Sequence, residues 1–124
     1  MTAFSFNIAA WRASSPYFAE PQAWQQWVEN GCADTAAETK PALEFLPAIQ
    51  RRRLSPAARL VFDAAWPLAE AFPNCPLVYA SHDGEINRSF ELWQSLLREQ
   101  TVSPASFGLS VHNALAGQWS MLRQ

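Results

Sequence analysis

The apolar and polar positions near the N-terminus alternate with the two-residue period of a strand that buries one face. The apolar members of this pattern are Phe4, Phe6, Ile8 and Ala10. A second apolar run, Pro76–Ser81, does not alternate and predicts a short strand buried on both faces. The dipeptide Asp83-Gly84 supplies the turn that ends this second strand.

The clearest helix start is Ser55-Pro56. The serine side chain can cap the free amides of the first turn, and a proline in the first position loses no hydrogen bond. Apolar residues then recur on one predicted face at Ala57, Val61, Ala64, Leu68 and Phe72. Arg59 and Asp63 are expected away from that face. Pro67 predicts a kink or a restart, because its ring clashes with the carbonyl of Asp63.

Further segments also have helical spacing. A short helix is predicted around Trp24, Trp27 and Val28, stopping near Asn30-Gly31, and an amphipathic helix around Ile86, Phe90, Trp93 and Leu97. Asn87 is the candidate cap of the amphipathic helix. Ser103-Pro104 starts a short helical piece, and Val111–Leu122 is predicted to be helical with Gly117 as its weak point. The order strand, helix, strand, helix predicts an α/β layered domain.

The composition fits one globular domain, and we expect residues 1–124 to form it. Apolar residues make up 49% of the chain, and six Trp with eight Phe can fill a sizeable core. The formal net charge of −2 argues against nucleic acid as a partner. No run approaches the roughly 20 apolar residues of a membrane span, and no signal peptide is visible. Cys32 and Cys75 are therefore expected to be reduced thiols in the cytoplasm.

Side chains that could carry catalysis are few and dispersed. His82 adjoins Asp83, but a His-Asp dipeptide sets no orienting geometry by itself, so a polar turn is the preferred interpretation. His112 is expected to be a buried or interface histidine satisfied by hydrogen bonds. The two His and two Cys lack metal-ligand spacing, and the four glycines are isolated, so neither a metal nor a cofactor is predicted.

Arg51, Arg52 and Arg53 form the one local concentration of charge, just before the helix start at Ser55. Cations at that place do not complement a helix dipole, which favours anions there. Two interpretations stay open. The arginines lie in a solvated loop or pair with Glu38, Glu44 or Asp63, or they form a docking patch for an acidic partner.

The segment Ser103–Gly117 carries the most specific pattern, Ser-Pro-x-x-Phe followed by Val-x-Asn-x-x-Ala-Gly. It resembles the corresponding segment of β-ketoacyl synthases, the condensing enzymes of fatty-acid and polyketide synthesis. Leu46–Arg59 and Ala80–Glu85 add to this resemblance. More narrowly, Ser110–Ser120 and the arginine-rich stretch resemble short bacterial chain-length-factor-like proteins of aryl polyene gene clusters.

The resemblance implies a partial thiolase-like α/β fold, equivalent to the N-terminal half of a ketosynthase. In the family this segment precedes the nucleophilic cysteine, and the sequence reaches Gln124 without a cysteine in that relation. We therefore expect a non-catalytic, chain-length-factor-type subunit that pairs with a catalytic ketosynthase or with itself. The alternatives are an N-terminal fragment of an active condensing enzyme and a small protein-interaction module without an acyl-chain role.

The resemblance also implies roles for individual residues. Val111 falls where synthases place the apolar gate of the acyl pocket, and Phe107 should line the same region, although ordinary core packing is an alternative for both. Asn113 and Gly117 match positions that let the helix pack closely against the core and the partner. The arginines at positions 51–53 would contact acyl carrier protein, which is acidic. No catalytic residue and no metal ligand is assigned.

Overall fold

A computed structural model of the chain describes residues 5–18, 21–31 and 38–123. Regular secondary structure in these ranges consists of helices. They are α1 (Pro21–Asn30), α2 (Ala48–Arg53), α3 (Pro56–Ala71), α4 (Ile86–Glu99), α5 (Pro104–Gly108) and α6 (Ala114–Leu122). The other described residues form turns and irregular chain.

Neither predicted strand is formed in the described part of the chain. Residues 5–10 and 76–81 are irregular, and Phe4 lies outside the described residues. The expectation that the second segment is buried on both faces is wrong, since Val78 is 90% exposed. A strand is stabilised by hydrogen bonds to a neighbouring strand, and no described residue forms such a ladder with either segment. The predicted α/β layering is therefore not confirmed, and the described chain is helical.

Helix α3 is the centre of the hydrophobic core. It begins as predicted, because the Ser55 Oγ accepts a hydrogen bond from the Ala58 amide at 3.0 Å. Phe62 is completely buried in this helix. The core consists of Leu43, Leu46, Leu54, Ala58, Phe62, Trp66, Leu115 and Trp119.

The buried face of α3 is not the predicted one. The predicted face ends at Phe72, which is 44% exposed, whereas Ala58, Phe62 and Trp66 are buried. Both sets of residues recur every three or four positions, so periodicity alone does not choose between them. The orientation follows from the large apolar area that the rings of Phe62 and Trp66 bury. Arg59 turns inward with this face and is 8% exposed.

Helix α3 continues through Pro67 without the predicted restart. The proline removes one backbone hydrogen bond, and two side-chain contacts reinforce the helix around it. The Trp66 indole N–H donates to Glu70 Oε1 at 2.9 Å, across the proline. Arg123 Nη2 donates to the Ala69 carbonyl at 2.9 Å. These contacts tie the second half of α3 to the first half and to the end of α6.

Aromatic rings join α6 and the preceding loop to α3. The Trp119 ring of α6 lies edge-on to Phe62 and Trp66, with ring centroids 5.2 Å and 5.6 Å apart. Phe45 stacks on the other side of Trp66 at 4.8 Å. Offset and edge-to-face arrangements are the favourable ones for aromatic pairs, so this cluster fixes the position of α6.

Helix α4 confirms the predicted amphipathic helix, but its apolar face is open. Four apolar residues are 44–65% exposed: Ile86, Phe90, Trp93 and Leu97. Asn87 is not the cap, because the N-cap position is Glu85. The helix packs against α5 and ends at Gln100, which has a left-handed backbone conformation.

Helix α1 confirms the prediction of a helix that stops at glycine. The Gly31 amide donates to the Trp27 carbonyl at 2.9 Å, and Gly31 has φ +67. Phe18 packs on the rings of Trp24 and Trp27, with centroids 4.9 Å and 5.8 Å away. This small aromatic cluster is separate from the main core.

Candidate functional site

The segment Ser103–Gly117 folds as a short helix, a turn and the first part of α6. The Ser103 Oγ accepts a hydrogen bond from the Ser106 amide at 3.4 Å, so α5 starts as predicted. Helix α6 begins at Ala114 rather than at Val111. The Val111 carbonyl accepts from the Ala114 amide at 3.0 Å and closes the turn before the helix.

Helix α6 has one buried face and one open face. Its buried residues are Ala114, Leu115, Gln118 and Trp119. Gly117 lies on the open face, where an added Cβ would meet no heavy atom within 4 Å. Asn113 occupies the N-cap position without a capping side-chain hydrogen bond and is exposed. The small residues of α6 therefore offer a surface against which another backbone can pack closely.

Phe107 and Val111 lie at the surface of the described structure. Phe107 is 61% exposed on α5, and Val111 is 42% exposed in the turn that follows. Neither side chain belongs to the core cluster. The two predicted pocket residues and Gly117 are thus each left uncovered by the described chain, and these three positions are here called the segment surface.

An open groove of about 440 Å³ connects this segment with the arginine cluster. The apolar residues that line the groove include Leu54, Leu109 and Met121. Helix α2 contributes Gln50 and Arg53 to the lining. Phe107 and Val111 do not line it. The groove brings Arg53 of the predicted docking patch next to α5 and α6. In the sequence, 50 residues lie between Arg53 and Pro104, the first residue of α5.

The arginine cluster lies in a helix rather than in a loop before one. Arg51, Arg52 and Arg53 form the last turn of α2, where cations complement the helix dipole. The Arg51 guanidinium donates to the Ala42 carbonyl at 3.1 Å, and Arg52 is exposed. No described carboxylate pairs with any of the three.

Two of the three carboxylates considered as partners for the arginines have other contacts. Asp63 accepts from the Ser14 hydroxyl at 2.8 Å. Glu38 accepts from the Tyr17 hydroxyl at 3.1 Å. That hydrogen bond, together with the negative charge of Glu38, raises the pKa of Tyr17 above its ordinary value. These two carboxylates therefore do not pair with the arginine cluster in the described structure.

A second groove, of about 570 Å³, lies beside His112. Its lining includes Tyr79, Ser81, His112, Asn113 and Trp119. His112 is exposed in the described structure. The sequence predicted a buried or an interface histidine, and the first of these expectations is wrong. His82 and Asp83 contact each other but are largely exposed, which agrees with a polar turn.

The turn at Gly84 touches His112, a contact that the sequence analysis did not predict. Gly84 has φ +54, and a Cβ at this position would lie 2.6 Å from His112 Nδ1 and 3.2 Å from His112 Cα. The close approach thus joins the turn after residues 76–81 to the segment Ser103–Gly117. A glycine after aspartate signals a turn, but nothing in the sequence indicates which distant residue the turn will meet.

Other candidate chemistry is sparse in the described residues. Cys75 is a free, exposed thiol in the irregular chain after α3, and Cys32 lies outside the described residues. No three His, Cys, Asp or Glu side chains in the described ranges lie close enough to hold a metal ion. No described helix is long and apolar enough to cross a membrane.

Comparisons with known proteins identify the family of the chain. The family model of the β-ketoacyl synthase N-terminal domain matches residues 24–124. The chain belongs to this family and is ketosynthase-like. No curated protein matches the chain.

A solved structure gives the same relationship in three dimensions. The chain is similar to a chain in the structure of the ketosynthase ApeO in complex with its chain length factor ApeC from Xenorhabdus doucetiae, with 27% sequence identity and a TM-score of 0.74. The match covers 97% of this chain and 51% of that chain, so this chain spans about half the length of its structural relative.

Gly84→Ala tests the contact between the turn and His112. We expect a loss of roughly 2–5 kcal/mol in the free energy of unfolding, from the left-handed backbone and from overpacking against the His112 backbone. Gly31→Ala is the matched control, because Gly31 has φ +67 but nothing within 4 Å of an added Cβ. It should lose about 1–2 kcal/mol. Urea unfolding followed by tryptophan fluorescence measures both, and equal losses would contradict the close packing at His112.

Proposed function

We propose that this chain is a cytoplasmic, non-catalytic subunit of the chain-length-factor type. It pairs with a catalytic ketosynthase and bounds the pocket that receives the growing acyl chain. The acyl chain is carried by acyl carrier protein and is of the fatty-acid or polyketide kind, including aryl polyenes. The observation that carries the proposal is the segment surface, where family-like residues are apolar, small and uncovered by the described chain.

The arrangement of the segment surface supports a role at a shared pocket. Phe107 and Val111 supply exposed apolar side chains, and Gly117 leaves room for a second backbone. Exposed apolar surface of this kind marks a place where another protein or a ligand binds. The structural relative belongs to a complex of a ketosynthase with its chain length factor, which supports a ketosynthase as the partner.

A second candidate function is that of a piece of an active condensing enzyme. The observation in its favour is that the chain spans 51% of the matched solved chain. Both functions use the segment surface as a pocket wall, but they differ in the source of the nucleophile. The encoded sequence downstream of Gln124 separates them. A nucleophilic cysteine of the family type in that sequence supports the second function, and a downstream sequence without one supports the first.

Val111→Trp should shorten the products of the reconstituted pair. A larger side chain removes pocket room for several methylenes, each worth about 0.8 kcal/mol of burial to the acyl chain. Val111 is 42% exposed in this chain, so the change should leave its thermal midpoint nearly unaltered. Mass spectrometry of the products gives the length distribution.

Val28→Trp is the control for this change, because Val28 is 73% exposed on α1 and does not belong to the segment surface. It should leave product lengths unchanged. If Val111→Trp also leaves them unchanged while the pair still forms, Val111 does not bound the pocket.

Gly117→Ala should affect the isolated chain and the pair in opposite ways. In the isolated chain the change should add about 0.5–1 kcal/mol of stability, because alanine is the better helix former and open space surrounds the site. In the pair it should weaken association, and Gly117→Leu should weaken it further. Thermal unfolding and analytical ultracentrifugation measure the two effects. Unaltered association of the Leu variant would show that Gly117 is not packed at the interface.

Reversing the arginine cluster should weaken binding of acyl carrier protein. The triple variant carries Arg51→Glu, Arg52→Glu and Arg53→Glu. Its cluster should repel the acidic carrier protein instead of attracting it, and this should chiefly slow association at low salt. The effect should shrink as the screening length falls from about 10 Å at 0.1 M salt to about 3 Å at 1 M. Stopped-flow binding of a fluorescent carrier protein measures the rate.

Single reversals provide the matched comparison for the cluster. Arg52→Glu and Arg98→Glu change the charge equally at exposed helical positions, one in α2 and one in the last turn of α4. Only Arg52→Glu should slow association. Equal effects would mean that net charge alone explains the slower association. The arginine cluster would then be a solvated surface without a docking role.

A further inference from the structure

Helix α2 ends in carbonyl groups that no later turn of the same helix can satisfy. Two arginines from other helices satisfy them instead. Arg59 Nη2 of α3 donates to the Arg51 carbonyl at 2.6 Å, and Arg88 Nη2 of α4 donates to the Arg53 carbonyl at 3.0 Å. The last turn of α2 is therefore held from two directions through its backbone.

Arg59, which holds the end of α2, is unusual because its charged side chain is buried: the residue is 8% exposed. Its second amino group donates to the Pro41 carbonyl at 2.9 Å, and its Nε has no hydrogen-bond partner among the described residues. No described carboxylate balances its charge. Burial of a cation that binds only carbonyl oxygens is costly, and an apolar side chain would fill the space more favourably. Its forked geometry, however, bridges the loop before α2 and the end of α2 at once.

Arg88 is oriented by a buried acid. Glu85 is 6% exposed, and its Oε2 lies 3.7 Å from Arg88 Nε. The Ser55 hydroxyl donates to Glu85 Oε1 at 2.9 Å while the same oxygen caps α3. The capping serine, the acid and Arg88 thus connect the start of α3, the start of α4 and the end of α2.

We propose that Arg59 and Arg88 are positioning residues for the arginine cluster. They fix the backbone of Arg51 and Arg53, so that the exposed Arg52 and the groove-lining Arg53 face an acidic partner in a set geometry. The inference rests on the proposed docking of acyl carrier protein at the cluster. Arg88 is not itself part of the surface that we propose to contact the acidic partner, because its side chain is only 18% exposed.

Charge-conserving variants of the full chain test this role. Arg88→Lys and Arg59→Lys keep the net charge, but a single ammonium cannot reproduce the two-sided contact of a guanidinium. Each should lower the association rate with an acidic acyl carrier protein by roughly threefold or more at low ionic strength. Hydrogen exchange should become faster at the amides of residues 50–53. Arg98→Lys, on the exposed part of α4, is the control and should change neither quantity.

A coupling measurement distinguishes positioning from general stability. In a chain whose cluster is neutralised by Arg51→Gln, Arg52→Gln and Arg53→Gln, Arg88→Lys should cause no further loss of association rate, because the groups it positions are gone. An equal loss in both backgrounds would overturn the proposal, as would unaltered association in the intact background. If the neutralised cluster itself binds as fast as the original chain, the docking function fails, which is a separate outcome. If the Arg59→Lys chain does not fold, the result for Arg88→Lys alone tests the positioning role.

Discussion

The contact between α3 and α6 decides how this protein presents the segment Ser103–Gly117. Trp119 lies against Phe62 and Trp66, and Arg123 completes the contact with its guanidinium 5.1 Å above the Trp66 ring. A buried aromatic ring contributes about 4–6 kcal/mol of transfer free energy before the entropy of ordering is subtracted. Because this contact fixes the rotation of α6, it also determines that Gly117 faces outward.

The same orientation leaves a second apolar region uncovered. An open cleft of about 780 Å³ lies between residues 7–10, the outer face of α3 and the chain after it, and its walls include Ile8, Leu68 and Phe72. Helix α3 is apolar on two faces, and its fully buried apolar residues belong to the one with the aromatic rings. Surfaces of this kind normally pack against further protein. The uncovered face agrees with a chain that matches about half of its structural relative.

Local signals in the sequence predicted the described helices except α2, and non-local interactions explain the errors in burial and in the strands. Ser55, Ser103 and Gly31 act through atoms within four residues, so their helix starts and stops were predictable. Val78 needed a neighbouring strand, which no periodicity reveals, and the described chain supplies none. The inward rotation of α3 depended on the distant partner Trp119, and with it came the burial of Arg59.

For the candidate site, too, the sequence motif predicted which segment matters but not its three-dimensional surroundings. The motif located the segment with Phe107 and Val111 but not the exposure of these side chains, because exposure depends on how α5 and the turn before α6 pack on the rest of the chain. The relation of Arg53 to this segment arises only when α2 is folded beside α5 and α6. In that arrangement a cation stands beside an apolar groove that Pro104, Gly108 and Leu109 of the family segment help to line. The docking that we propose at α2 would therefore place an acidic partner next to α5 and α6.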